Sequence, residues 1–339
     1  MTSPIGEARR PVDLSILIVN WNSARYLKAC LSSIYHEVKS IKFEVLVVDN
    51  ASYDGSAQLV KDEFSQVTFI QSEKNLGFTR GNNLLFRQAQ GRNILLLNPD
   101  TEIVGDAVQI MLKHLDRLPQ AGAIGCRLVD AEGAVQTSIL AFPTIWNQLL
   151  DIEFLQRRFP GSSLWNLRPL YAESAAPAEV EALAGACFMV KRHVFEQVGL
   201  MSEDYVMYGD DIELSYKIWK AGYKVFYINQ SRVIHHEGKS AESWKRGLPD
   251  VWKRASIYRF LTESHGRWYC GCYKVAMALA AFFRLGLLAL MKPFAGTPGR
   301  KEKLNFAMIK WKRLFQWAVG MKGWAKRAGE EAGFAADDW

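Results

Sequence analysis

Three stretches of this chain hold the residue types that could work on a phosphorylated substrate: Leu96-Leu97-Asn98-Pro99-Asp100, Tyr208-Gly209-Asp210-Asp211-Ile212-Glu213-Leu214 and Val233-Ile234-His235-His236-Glu237-Gly238. They supply carboxylates and an imidazole, the groups that hold a divalent cation on a diphosphate and take a proton from a hydroxyl. The combination suits sugar transfer from a nucleotide donor.

Each stretch also has a plainer reading. Asp49, in Val48-Asp49-Asn50, and Asp100 would stand at the ends of apolar runs, where Asp commonly starts a turn; two acids at equivalent strand ends also match where α/β sheets bind ligands. Asp210 is expected to cap a helix, with Glu213 three residues on closing a capping box. That leaves Asp211 in the first turn, where the helix dipole favours an ionised carboxylate able to act as base. A histidine at the end of an element is usually structural, but downstream of the acid pair one imidazole could complete a cation site that Asp100 cannot fill alone. The segment Glu73 to Asn83 opens a helix with two glycines, Arg80 and several amides, suited to phosphate contact, although Gly-X-X-X-Gly also serves close packing. Arg80 and Asn83 fall on one face of that helix.

The elements that must position these groups follow from hydrophobic patterning. Leu14 to Val19 and Phe43 to Val48 are apolar, β-branched runs that read as buried parallel strands, and Tyr26 to Val38 between them has helical spacing. The alternation continues with a helix over Ser56 to Phe64, a strand over Val67 to Gln71, a helix over Phe78 to Gln90 and a strand over Asn93 to Leu97. A helix near Asp106 to Leu118 and a strand near Ala123 to Val129 follow. Ala141 to Pro177 is aromatic and loop-like, a plausible acceptor-facing region. Ala182 to Val190, a helix from Arg192, a helix over Asp211 to Ala221 and a strand over Lys224 to Ile228 complete the regular part.

At 339 residues the chain is long enough for two lobes. Five cysteines without zinc-type spacing fit a reducing compartment, and residues 1–13 lack a secretory apolar core, so a cytoplasmic location is expected. Between Arg284 and Arg327 eleven Lys and Arg face the single acid Glu302, more than the whole net charge of +7. No nucleic-acid motif accompanies this basicity, which suits anionic lipid head groups. Val275 to Met291 is almost wholly apolar but contains Arg284, so a helical hairpin lying on or dipping into a membrane is favoured. A soluble helical subdomain packed on a partner chain ranks second and a full span third.

The chain resembles the family 2 glycosyltransferases of the GT-A fold, and within them the bacterial rhamnosyltransferase-like branch. The resemblance runs from Ser15 to about Ser240. It rests on Ile18-Val19-Asn20-Trp21-Asn22, Val48-Asp49-Asn50-Ala51-Ser52, Asn75-Leu76-Gly77-Phe78, Leu97-Asn98-Pro99-Asp100, Gly185-Ala186-Cys187 and Asp210-Asp211. It implies a Rossmann-like, mostly parallel α/β sheet flanked by helices, to which the patterning after residue 240 adds a C-terminal helical appendage. Residues 1–240 would form the nucleotide-sugar-binding and catalytic domain, and 241–339 a basic, membrane-associated helical region.

The resemblance further implies that Asp49 reads the base or ribose and that Asp100 ends an Asp-X-Asp metal signature whose first acid is Asn98 here. His235 would join the metal, Mn2+ or Mg2+, and Asp211 would be the inverting base beside Asp210. Donor contacts fall on Val19, Asn20, Asn22, Asp49, Asn75, Gly77, Phe78, Arg80, Asn83, Asn98 and Asp100; acceptor contacts fall on Gly185, Ala186, Cys187 and Asp210. The expected donor is dTDP-rhamnose or a UDP-sugar and the acceptor a glycan or lipid-linked glycan, added one sugar at a time at the inner face of the cell membrane. Self-association is compatible with this reading. The alternatives are a nucleotidyltransferase acting on sugar phosphates, whose basic Gly-rich loop after the first strand is missing, and a non-catalytic nucleotide-sugar-binding scaffold.

Overall fold

A computed structural model describes residues 12–150, 176–205, 208–236, 248–294 and 296–321. Most of the expected acceptor-facing region, Ala141 to Pro177, lies outside these residues, as do the N-terminal residues and the tail from Lys322 onward.

The first half of the chain alternates as its patterning requires: β1 (Leu14–Asn20), α1 (Ala24–Glu37), β2 (Phe43–Asp49), α2 (Ser56–Glu63), β3 (Thr68–Gln71), α3 (Gly77–Phe86) and β4 (Asn93–Leu97). β5 (Thr101–Val104), α4 (Ala107–Arg117), β6 (Ala121–Val129), β7 (Ile139–Leu140) and α5 (Ile145–Leu149) follow. β8 (Ala178–Val180), β9 (Ala182–Leu183), β10 (Cys187–Lys191), α6 (Arg192–Gln197), α7 (Asp210–Lys220), β11 (Lys224–His235), α8 (Leu248–Met291) and α9 (Pro298–Ala318) complete the order.

The nine-stranded sheet runs β3-β2-β1-β4-β10-β6-β11-β5, with β8 also paired to β11. Strands β1, β2, β3, β4, β6 and β11 point one way, and β5, β8 and β10 oppose them. The mostly parallel α/β sheet expected from the sequence is therefore present. Every residue of β1 and β4 is buried, as apolar strands covered on both faces must be. On one face Ile16, Ile18, Val45 and Val47 join Leu27, Leu31 and Ile34 of α1 and Val108, Met111 and Leu115 of α4 in one apolar core. On the other, α3 lies so close that a Cβ on Gly81 would stand 2.9 Å from both methyls of Val19. Gly81 thus serves close helix-on-sheet packing.

Two elements differ from expectation. β5 forms where no strand is expected, because Thr101 to Val104 gains a partner from a distant segment, the end of β11. β11 does not stop at Ile228; it continues to His235 through an irregularity between Ile228 and Arg232. Ala182 to Val190, a regular stretch without an assigned type in the sequence, divides into two strands: β9 pairs with β7, and β10 enters the main sheet between β4 and β6.

Residue contacts divide the chain into two compact units. The first holds Met1–Leu140, Ala172–Met201 and Leu214–Glu237, and the second Ala141–Tyr171, Ser202–Glu213 and Gly238–Trp339. In the second, α5 starts with a capping box between Thr144 and Asn147 and packs on α8, where Arg254 donates to Gln148. α8 breaks at Gly266, whose φ of 84° is open to glycine, and both sides of the break pack on α9, where the Trp317 ring meets Tyr258 and Tyr273. Arg284, the charge that interrupts the apolar run, donates to the Leu149 carbonyl at 3.1 Å and lies 4.3 Å over the Trp311 ring.

Candidate active site

In the first unit the C-terminal ends of three parallel strands carry a polar row. Asn20, Asp49 and Gln71 are register partners on β1, β2 and β3. Asn20 Nδ2 donates to Asp49 Oδ1 at 2.7 Å, while Asp49 Oδ2 accepts from the Ser52 amide at 2.9 Å and Gln71 Nε2 at 2.8 Å. Both Asn20 and Asp49 are fully buried. The two loops beside this row turn on non-glycine residues in the left-handed region, Asn22 at φ 48° and Ala51 at φ 59°. Such conformations cost energy and gather at functional sites. Asn22 is held there by its backbone N–H, which donates to Ser52 Oγ, and by its side-chain oxygen, which accepts from the Tyr53 amide.

Asn75 and Gly77 form the turn that opens α3: Asn75 Oδ1 accepts from the Gly77 amide, and Gly77 takes φ 76°. Asn50 ties this turn to β2 by donating to the Gly77 carbonyl. Asn83 is expected to share a ligand-facing surface with Arg80, but the two differ. Asn83 is buried, and its amide pairs with the Met201 backbone in both directions, at 2.9 and 3.2 Å, while Arg80 is only half-buried. Asn83 thus braces α3 against the segment after α6.

The pairing of β5 with β11 sets His235 opposite Thr101 and so brings His235 to Asp100. His235 Nε2 stands 3.5 Å from Asp100 Oδ1, with side chains 13% and 7% exposed. The Asp100 carbonyl accepts from the His236 amide at 2.9 Å. On its other edge the His235 ring contacts Gln136: Nδ1 lies 3.0 Å from Oε1, and Gln136 Nε2 donates to the His235 carbonyl at 2.8 Å. His236 points elsewhere, 2.6 Å from Glu102 and against the Tyr26 ring. Asn98 is fixed by its backbone: its amide donates to the Ala186 carbonyl and its own carbonyl accepts from Thr101 Oγ1.

One carboxylate oxygen and one imidazole nitrogen fit a divalent cation that also binds a diphosphate. Mg2+-type ions take one or two protein ligands and fill the remaining positions with phosphate oxygens and water. Among the described residues no cluster of three or more His, Cys, Asp or Glu forms a self-sufficient site.

The acid pair belongs to the second unit. The helix starts at Asp210, and the bond from the Glu213 amide goes to the Gly209 carbonyl, so Gly209, not Asp210, takes the capping position. Glu213, expected to close a capping box, accepts instead from Ser202 Oγ at 2.6 Å. Tyr208 and Gly209 both adopt positive φ, 67° and 81°, which turns the chain sharply into the acids. Asp211 Oδ1 accepts from the Ile212 amide. The Asp210 carboxyl is pushed up to about 8, first by its removal from water and then by the neighbouring Asp211 charge. Nearby in sequence, Tyr205 is buried and donates to Glu263 at 3.3 Å, and Arg259 pairs with Asp204 at 2.8 Å.

Of the expected acceptor residues, Ala186 and Cys187 are buried in the first unit, Ala186 beside Asn98 and Cys187 in the main core. Gln71 and Gln136 carry no motif and are absent from the sequence expectations. The alignment of Gln71 with Asp49 is a register fact, and Gln136 meets His235 only through the sheet.

Residues 15–199 match the family described as Glycosyl transferase family 2. The chain is 25% identical over 273 residues to N-acetylglucosaminyl-diphospho-decaprenol L-rhamnosyltransferase of Mycobacterium tuberculosis, covering 76% of this chain and 86% of that protein. It is 23% identical over 261 residues to rhamnosyltransferase WbbL of Escherichia coli K12, covering 73% of this chain and 92% of that one. The fold is similar to that of the mannosyltransferase PcManGT from Pyrobaculum calidifontis, solved in complex with GDP-Man and Mn2+. The TM-score is 0.54 at 20% identity, over 94% of this chain and 88% of that structure.

Proposed function

Because the chain belongs to glycosyl transferase family 2 and is a glycosyltransferase, we propose that it moves one sugar, rhamnose first among the candidates, from a nucleoside diphosphate to a glycan or lipid-linked acceptor with inversion. Family membership disfavours the nucleotidyltransferase and scaffold readings. Residues 1–240 would carry donor binding and catalysis. The observation that most supports a diphosphate donor is the 3.5 Å approach of His235 Nε2 to Asp100 Oδ1 at the end of β4.

In this reading Asp100 and His235 hold Mn2+ or Mg2+, which when bound neutralises charge on the diphosphate leaving group. Arg80 adds a second positive charge there. Asn20, Asn22 and Asn75, with the Gly77-Phe78 turn, line the nucleotide end. Asp49 contributes by fixing Asn20, Gln71 and the Ser52 amide, since its own oxygens already accept their bonds. Asp211 takes the acceptor hydroxyl proton as that oxygen bonds to the anomeric carbon; the bond to the diphosphate breaks, and its electron pair leaves with the nucleotide. Asp210 stays protonated at neutral pH because of its raised affinity for the proton, so it can donate a hydrogen bond to the acceptor while Asp211 acts as base.

The C-terminal region would hold the enzyme on the inner face of the membrane, near a lipid-linked acceptor. Val275, Leu279, Phe282, Phe283, Leu287 and Leu290 recur at helical spacing along α8 and are exposed, Phe283 at 69% and Leu290 at 72%. The first two turns of α9 expose Arg300, Lys301 and Lys303. An apolar stripe beside basic residues suits anionic lipid, and α8 is also long and apolar enough to cross a membrane.

The test is release of nucleoside diphosphate from dTDP-rhamnose and from UDP-sugars, with Mn2+ and a lipid-linked acceptor. Acceptor-dependent release with sugar appearing on the lipid is expected. No turnover with any donor, in protein whose melting temperature also ignores nucleotide sugars, would overturn the reading.

A further inference from the structure

We infer that Gln136 is a positioning residue that selects the tautomer of His235, so that the nitrogen offered to Asp100 and its cation is the bare Nε2. The inference rests on the proposed cation role of that pair, but its core is a chain of donors and acceptors within the first unit.

A backbone carbonyl can only accept a hydrogen bond. The Gln136 amide lies against the His235 carbonyl, so the amide end that faces it must be the NH2, at 2.8 Å. Reversing the amide would set oxygen against oxygen. With the NH2 so placed, Oε1 is the atom 3.0 Å from His235 Nδ1, and Oε1 can only accept. Nδ1 must then carry the proton. In a neutral imidazole this leaves Nε2 with its lone pair, and Nε2 is the nitrogen that stands 3.5 Å from Asp100 Oδ1. The carbonyl thus dictates the amide orientation, and the amide dictates the ring.

Without that clamp the neighbouring carboxylate would favour the other tautomer, because an Nε2 proton could point at Asp100. That form presents a donor where a cation needs an electron pair. Gln136 opposes it, in the way that groups outside a metal's ligand set orient its histidines.

Gln136 is itself held firmly. Its backbone N–H donates to the Leu128 carbonyl at 2.9 Å, and Val135 bridges Val129 across a turn in which Asp130 Oδ1 accepts from the Glu132 and Ala134 amides. His235 is the last residue of β11, paired to Thr101. Neither partner of the clamp sits on a free loop end, so the two hydrogen bonds constrain the ring rather than following it.

The experiment uses the full chain labelled with 15N-histidine and read by long-range imidazole 1H–15N correlation, above the ordinary imidazole titration range and without metal. His235→Asn assigns the signals. Wild type is expected to show the Nδ1–H pattern at His235. Gln136→Met, similar in shape but without the amide, is expected to shift it toward Nε2–H and to weaken binding of Mn2+ alone about tenfold to a hundredfold by calorimetry. Gln136→Glu, which keeps an acceptor for Nδ1–H, is expected to retain the wild-type tautomer, so a variant that fails to fold does not end the test. An Nε2–H pattern in the wild type, or an unchanged tautomer and Mn2+ affinity in folded Gln136→Met, overturns the inference. A wild type with the Nδ1–H pattern that binds no Mn2+ instead overturns the cation reading and leaves the role of Gln136 standing.

Discussion

Asn20 Nδ2 lies 2.7 Å from Asp49 Oδ1, two fully buried side chains joined across the ends of adjacent parallel strands. The same carboxylate accepts from the Ser52 amide and from Gln71. Truncation in Asp49→Ala removes the short acceptor of the buried Asn20 amide and one acceptor each from the half-buried Ser52 amide and the exposed Gln71, and a buried donor left unsatisfied costs about 1–3 kcal/mol. A total destabilisation of about 2–4 kcal/mol by urea unfolding is expected, together with weakened donor binding. Wild-type stability in this variant would mean that the row contributes nothing to the fold.

Asp211→Asn keeps the size of the side chain and removes the base. Turnover should fall by about 10²–10⁴ while the affinity for the nucleotide sugar, measured by calorimetry, stays near wild type. Near-normal turnover would transfer the proton to another group.

The carboxyl of Asp210 sets a pH dependence. Its affinity for the proton is higher folded than unfolded, so its stabilising contribution is complete below the ordinary value of 3.8 and is lost as pH rises toward about 8. In Asp210→Asn this slope should vanish, so urea midpoints for variant and wild type should diverge in the variant's favour between acid and mildly alkaline pH. Parallel curves would refute the raised value.

Gly209 precedes the acids at φ 81°, and a Cβ there would lie 3.2 Å from Ser256 Cβ. Gly209→Ala should cost about 1–2 kcal/mol, the usual penalty for an L-residue in the left-handed region. Turnover should fall more than donor affinity, because the strained turn aims Asp210 and Asp211. Thermal melting and steady-state rates check both parts.

Replacing two exposed residues of α8 together, Phe283→Glu with Leu290→Glu, should abolish cosedimentation with vesicles containing phosphatidylglycerol while leaving the melting temperature unchanged. Wild type should bind these vesicles more tightly than neutral ones and release partly at high salt. Undiminished pelleting of the double variant would remove α8 from the membrane contact.

Much of this was legible in one dimension. The apolar runs of β1, β2 and β4 are continuous because both faces are covered; Asn20 and Asp49 end the first two, and Asp100 stands three residues beyond the third. What escaped is what depends on distant partners. Thr101 to Val104 has no strand signal of its own and forms β5 because β11 arrives beside it. The Asp210 to Glu213 spacing is a capping signature, but Gly209 supplies the cap and Ser202 takes the glutamate. The Asn83 amide, plausible as a ligand contact by helix face, is taken by the Met201 backbone. Gln136 follows an unremarkable turn, and only the assembled sheet gives it a histidine to hold.

The irregularity in β11 between Ile228 and Arg232 carries a further meaning for the adjacent imidazoles at its end. His235 and His236 alternate sides, one toward Asp100 and Gln136, the other toward Glu102 and Tyr26. The register shift acts as a phase-setter: one residue gained or lost within it would exchange the two rings and hand Asp100 the wrong histidine, even though the composition of the tip would be untouched.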